Sequence, residues 1–167
     1  MVIAAMVFLM LMEVTSRNGE TTASQVLSST VQENSAEATN IINREFRLIG
    51  YGVTDPMKIS WADTSLGIAF KADLADSGLA DSIAYMYNQN HHTVYRSVNG
   101  GAPVPLATDV QEFELMYFDD DGVATYSPSE IATIKVCLMV QGSAKFDDEE
   151  VYPAVYWERT IRPLNLR

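Results

Sequence analysis

Few side chains in this sequence have the types and spacing that chemistry needs. His91 and His92 are its only histidines. A zinc site takes three or four converging ligands, and adjacent residues of an extended chain project to opposite sides, so the pair reads as exposed turn residues. Asp119-Asp120-Asp121-Gly122 is richer in the oxygen donors that calcium prefers. An EF-hand loop, however, needs donors at alternate positions before its glycine and a glutamate well after it. Tyr117 stands at the first ligand position here and Pro128 at the last. The run therefore reads as a hairpin turn, with an irregular structural calcium site left open and no other cofactor expected. Asp147-Asp148-Glu149-Glu150 reads as a solvated acidic loop. Cys137 lies in an apolar stretch, where a thiol is buried and inert, and as the only cysteine it forms no intramolecular disulfide. No Ser/His/Asp set, Gly-x-Ser-x-Gly elbow or phosphate loop occurs. No catalytic residue is expected, and the chain reads as a non-enzyme. Tyr85, Tyr87, Tyr95, Tyr117, Tyr126, Tyr152 and Tyr156 are expected to pack across strands, an adhesive aromatic surface being their other use.

The elements that position these residues begin with the first fifty. Met1–Met12 is an unbroken apolar run, and Glu13 ends it. Residues 14–22 are small, polar or β-branched, with Gly19 among them, and make a weak helical segment. A helical period then returns. Leu27, Val31, Ala38, Ile42 and Ile49 recur at steps of three or four or their sums, and Ile41 and Phe46 widen the stripe. Gly50 and Gly52 stop it. The reading is one long helix in two parts, reaching roughly 75 Å at about 1.5 Å per residue. That exceeds the width of a small domain, so the apolar part needs partners outside the chain. Twelve apolar residues are fewer than the ~20 that span a bilayer. No basic n-region precedes them, so the run is expected to be the distal part of a longer apolar helix rather than a signal peptide.

Beyond Gly52 the period becomes that of strands. Strands are predicted at 57–61, 67–72, 82–88, 93–97, 110–118, 133–141 and 155–161, with Pro103 and Pro105 in an extended connector. Val110, Phe113, Leu115 and Tyr117 share one side after a break at Gln111, and 133–141, the most apolar strand, is expected to be central. A helix followed by a run of strands predicts an α+β fold, a long N-terminal helix packed on a mostly antiparallel sheet. Residues 1–22 form the apolar helix and linker, and 23–167 the head. Leu27, Val31, Ala38, Ile42, Phe46 and Ile49 are the expected helix-to-sheet contacts. Of 167 residues, 22 are acidic and 11 basic, a net charge of −11 that excludes a phosphate-binding surface and so a nucleic-acid partner. It also disfavours a peripheral contact with anionic lipid.

The order of several short segments resembles the type IV pilin-like proteins. An apolar run leads to a helix ending Asn43-Arg44-Glu45-Phe46-Arg47-Leu48-Ile49-Gly50-Tyr51-Gly52. Tyr85-Met86-Tyr87, Tyr95-Arg96, Leu106–Phe113, Tyr117–Gly122, Ile131-x-x-Ile134-Lys135-Val136 and Arg162–Leu166 follow in turn. Over nearly the whole chain this is most similar to minor pilins of the W kind and to J-type minor pseudopilins of type II secretion. The resemblance implies an inner-membrane subunit with a periplasmic or extracellular head. After processing, such a subunit joins a pilus or pseudopilus, packs its apolar helix among other pilin or pseudopilin subunits, and helps prime or cap the filament. Val2, Ile3, Val7, Phe8, Leu9 and Leu11 are the residues expected to pack in that filament core. The family's Gly–Phe cleavage site and the glutamate after it have no counterpart here, so that glutamate's role is not carried to Glu13. Two other classes remain in view. One is a membrane-tethered adhesin or sensor module outside any filament. The other is a secreted enzyme domain, for which no set of converging polar residues offers itself.

Overall fold

The computed structural model describes residues 29–142 and 152–166. A helix, α1, occupies residues 29–47. Its buried side is the stripe Val31, Ala38, Ile42 and Phe46, with Ser35 and Thr39 between them, and Ile49 continues it in the turn that follows. The helix tightens at its end: Leu48 and Ile49 donate backbone N–H groups to the carbonyls of Glu45 and Phe46, three residues back. Gly50 then takes φ 78° and Gly52 φ 67°, conformations that glycine adopts without strain.

Eight strands follow: β1 (Ile59–Asp63), β2 (Gly67–Ala72), β3 (Asp81–Asn88), β4 (Thr93–Val98), β5 (Val104–Ala107), β6 (Val110–Phe118), β7 (Thr133–Gln141) and β8 (Ala154–Ile161). They form two sheets, a five-stranded one ordered β1-β2-β3-β4-β5 and a three-stranded one ordered β6-β7-β8. Every pairing is antiparallel.

This corrects the expected α+β fold of a long N-terminal helix on a mostly antiparallel sheet. Strands in two antiparallel sheets dominate the described chain, and α1 is its only helix. The physical reason for the second sheet lies in β5. Pro105 pairs with Tyr95 of β4 but has no N–H to offer a further neighbour, so β5 ends the first sheet. Asp109, at φ 57°, then turns the chain into β6, which starts the second. The expected break at Gln111 coincides with a β-bulge between Val110 and Glu112, and β7 is the central strand of its sheet.

One core joins all the layers. Ile42 and Phe46 of α1, and Ile49 just after it, cluster with Ile68 and Phe70 of β2, Ile83 and Tyr85 of β3, Leu115 of β6 and Ile134 and Leu138 of β7. The two sheets also share hydrogen bonds. Val110 and Leu115 of β6 donate to the carbonyls of His92 and Thr64. The Tyr87 hydroxyl donates to the Val110 carbonyl at 2.7 Å, and that of Tyr117 to the carbonyls of Asp63 and Gly67 at 3.0 and 3.1 Å.

Candidate functional site

Among the described residues, a buried polar network lies where α1 meets the five-stranded sheet. Glu45 falls on the buried stripe, three residues after Ile42 and four before Ile49, so the helical period carries its carboxylate into the core. It is fully buried. Arg96 sits between Val94 and Val98 on β4, and strand alternation brings its guanidinium to the same side as Tyr85 of β3, its cross-strand partner. Arg96 grips Glu45 with two bonds, Nε to Oε2 at 2.8 Å and Nη2 to Oε1 at 2.7 Å. The Tyr85 hydroxyl donates to Oε2 at 2.6 Å. Arg44 adds a longer ion pair from the surface at 3.7 Å.

Apolar packing surrounds this network. Phe46 meets Phe70 and Tyr85 edge-on, with ring centroids at 5.6 and 5.2 Å and interplanar angles of 82° and 84°. Phe70 and Tyr85 stack at 6.2 Å. Burial, and next the Glu45 charge, push the Tyr85 phenol well above its ordinary range, so Tyr85 acts as a fixed hydrogen-bond donor. The hydrogen-bonded Glu45 carboxylate raises Arg96, which stays charged throughout. Three short charge-assisted bonds occupy the carboxylate oxygens. The arrangement can hold α1 in one register on the sheet, because a one-turn slip would strand a charge in the core.

Of the residues expected to join helix to sheet, Val31, Ala38, Ile42, Phe46 and Ile49 are buried in the core, whereas Leu27 lies outside the described residues. Val2, Ile3, Val7, Phe8, Leu9 and Leu11 also lie outside them, as does Asp147–Glu150. Glu45, Tyr85 and Arg96 were missing from the expected contacts. One signal for Glu45 was available: a charged side chain at a stripe position must find a partner. Nothing local pointed to Arg96, which is 51 positions away.

The remaining candidates are accounted for by ordinary structure. Asp119 Oδ1 accepts the backbone N–H groups of Asp121 and Val123 at 3.0 and 2.8 Å, as in a tight turn, and Asp120 Oδ1 pairs with Arg162 at 2.7 Å. Among the described residues no group of three or more His, Cys, Asp or Glu side chains is placed to hold a metal ion. His91 is exposed at the β3–β4 turn, and the His92 ring lies 3.2 Å from the Val110 carbonyl. Cys137 is buried on β7, and desolvation pushes its thiol up, away from the reactive thiolate. The tyrosines divide: Tyr85, Tyr87 and Tyr117 are core residues, whereas Tyr126 and Tyr156 are exposed.

The described residues also form open concavities. One of about 540 Å³ is bounded by Met57, Ile59, Ile131 and Leu166, near the bond from the Lys58 ammonium to the Asn165 carbonyl. Another, about 610 Å³, lies beside the β3–β4 turn. No helix among the described residues is long and apolar enough to cross a membrane. Compared with known proteins, the chain matches no protein-family model and no curated protein.

Proposed function

We propose that the chain is a structural, non-enzymatic subunit of the minor pilin or minor pseudopilin kind, which helps prime or cap a type IV pilus or a type II secretion pseudopilus. In this reading its head lies in the periplasm or outside the cell. Its apolar N-terminal run, held in the inner membrane before assembly, packs among the corresponding segments of other pilin or pseudopilin subunits. The observation that carries the proposal is the double fastening of α1, by the apolar stripe and by the buried Glu45–Arg96–Tyr85 network. A helix that merely filled a core would need only the stripe. A segment through which a head is pulled or held also benefits from a buried charge pair that forbids sliding, and such pairs are best attested as devices that fix register.

The work of leaving a membrane must be met by packing between apolar segments, so Phe8 and Leu11 are the residues to remove. The double variant Phe8→Ala/Leu11→Ala keeps helix-forming residues at both positions. It is expected to impair filament or secretion assembly in cells while circular dichroism of the purified protein shows an unchanged head. Normal assembly by this variant, with loss of assembly in Asp120→Ala or Glu149→Ala instead, would replace packing with a mechanism run by the acidic loops of the head.

A further inference from the structure

The five-stranded sheet has one covered face and one open one. Ile83, Tyr85 and Tyr87 of β3 turn into the core, and alternation sends Ala84, Met86 and Asn88 the other way. On the open side Gly67, Met86, Tyr95 and Pro105 are successive cross-strand partners in one row. The two middle members of the row, Met86 and Tyr95, line the groove of about 610 Å³ beside the β3–β4 turn. Leu66, Met86 and Tyr95 give it an apolar floor, and Gln89, Asn90 and His91 of the turn are exposed along it. The turn is held from within, since Asn88 Oδ1 accepts the backbone N–H groups of Asn90 and His91 at 3.0 and 3.2 Å. No Asp, Glu, Lys or Arg lines the groove, in a chain whose net charge is −11, and His91 is its one imidazole.

Each property restricts the ligand. With one imidazole and no carboxylate, lysine or arginine, the groove lacks the converging ligands that hold a metal ion and the fixed charges that hold a phosphate or a charged peptide. A purely apolar ligand would match the floor and leave the amide groups beside it unpaired. A ligand with one C–H-rich face and an edge of neutral donors and acceptors uses both. Pyranose sugars have this form: the ring face lies on an aromatic or thioether surface, and the hydroxyls exchange hydrogen bonds with amides, which both donate and accept.

We infer that this groove binds a neutral glycan, with a pyranose ring on Tyr95 and Met86 and its hydroxyls on the side chains of Gln89 and Asn90. The site lies on the sheet face away from α1, so a subunit packed through its N-terminal segment can still present it.

The test is saturation-transfer NMR on the full chain, with methyl β-galactoside, N-acetylglucosamine and maltose as separate probes. At least one sugar should show transfer to its ring protons, with an affinity that does not change with salt, since no ion pair contributes. Tyr95→Ala should weaken that binding about tenfold or more, as loss of a central aromatic contact does. Tyr95→Phe, which keeps the ring, should retain most of it. Gln89→Ala/Asn90→Ala should weaken it several-fold, while Trp61→Ala, on another part of the sheet, should leave it unchanged. Absence of transfer from all three sugars overturns the inference. So does equal binding by a circular-dichroism-normal Tyr95→Ala variant, or displacement of the sugar's signal to a proline- and leucine-rich peptide that binds the groove more tightly. Tyr95→Ala should assemble normally in cells, which separates failure here from failure of the filament reading.

Discussion

Glu45 carries the largest electrostatic stake of any single side chain described here. Its carboxylate is stable in the core only because Arg96 and Tyr85 replace the water it loses. Removing one partner should therefore be worse than removing the charge itself. Arg96→Met leaves an uncompensated buried carboxylate, and unfolding free energy should fall by about 3–5 kcal/mol. Arg96→Met combined with Glu45→Gln removes the charge along with its partner, and should recover a substantial part of the loss. Urea unfolding of the single and double variants measures this, and equal destabilisation by both would show that shape, not charge, holds the site. Gly67 makes a different kind of demand. At φ 141° it lies so close to β3 that a Cβ there would stand 1.9 Å from the Tyr85 carbonyl oxygen, which is why no larger residue fits the start of β2.

Among the elements, α1 shows how an amphipathic period becomes a fastening. Its exposed side carries Gln32, Glu33, Asn40, Arg44 and Arg47, while its apolar stripe lies on the five-stranded sheet. Phe46 is the anchor, fully buried and edge-on to two rings. Phe46→Ala should cost about 3–5 kcal/mol, the range for removing a large aromatic from a packed core. The loss should appear as a lower thermal midpoint, and an unchanged midpoint would mean that α1 is not fastened in solution. The strands show the opposite lesson. β5 has an apolar, proline-containing sequence that reads as a connector, yet it pairs with β4 because an edge position asks for hydrogen bonds on one side only. β8 lies at the other sheet's edge and is exposed along most of its length. Lys135 of β7 and Tyr156 of β8 both contact Glu158 of β8, placing a charged cluster on that strand.

At the scale of the whole molecule, buried phenols tie the layers together and make its stability depend on pH. Tyr85 joins α1 to the five-stranded sheet, and Tyr117 joins the two sheets through the carbonyls of Asp63 and Gly67. Burial raises both phenols above their ordinary value of 10.0. A group with a raised folded-state pKa contributes stability that is fully present below the unfolded-state pKa and is lost as pH climbs toward the folded value. Unfolding stability should therefore hold up to about pH 10 and then decline, each phenol contributing about 1.4 kcal/mol per pH unit. Tyr117→Phe has one fewer such group, so its stability should decline less steeply over the same range, by about that amount per unit. Denaturant titrations from pH 8 upward compare the two, and parallel slopes would remove Tyr117 from the account.

The sequence by itself determined part of the local structure of the described chain. Period 3.6 with a glycine stop marks α1 and its buried side, and period 2 between turn residues marks β2, β6 and β7 at their observed bounds. These signals are legible because each depends on neighbours a few residues away. The sequence also shows the apolar run Met1–Met12, which lies outside the described residues. Tertiary structure alone decided that the strands divide into two sheets, that Arg96 and Tyr85 are the partners of Glu45, and which open face gathers Tyr95 with the β3–β4 turn. The physical reason is distance along the chain. Glu45 meets Tyr85 across 40 positions and Arg96 across 51, and no periodicity within one element records which residue of another will come to neutralise it.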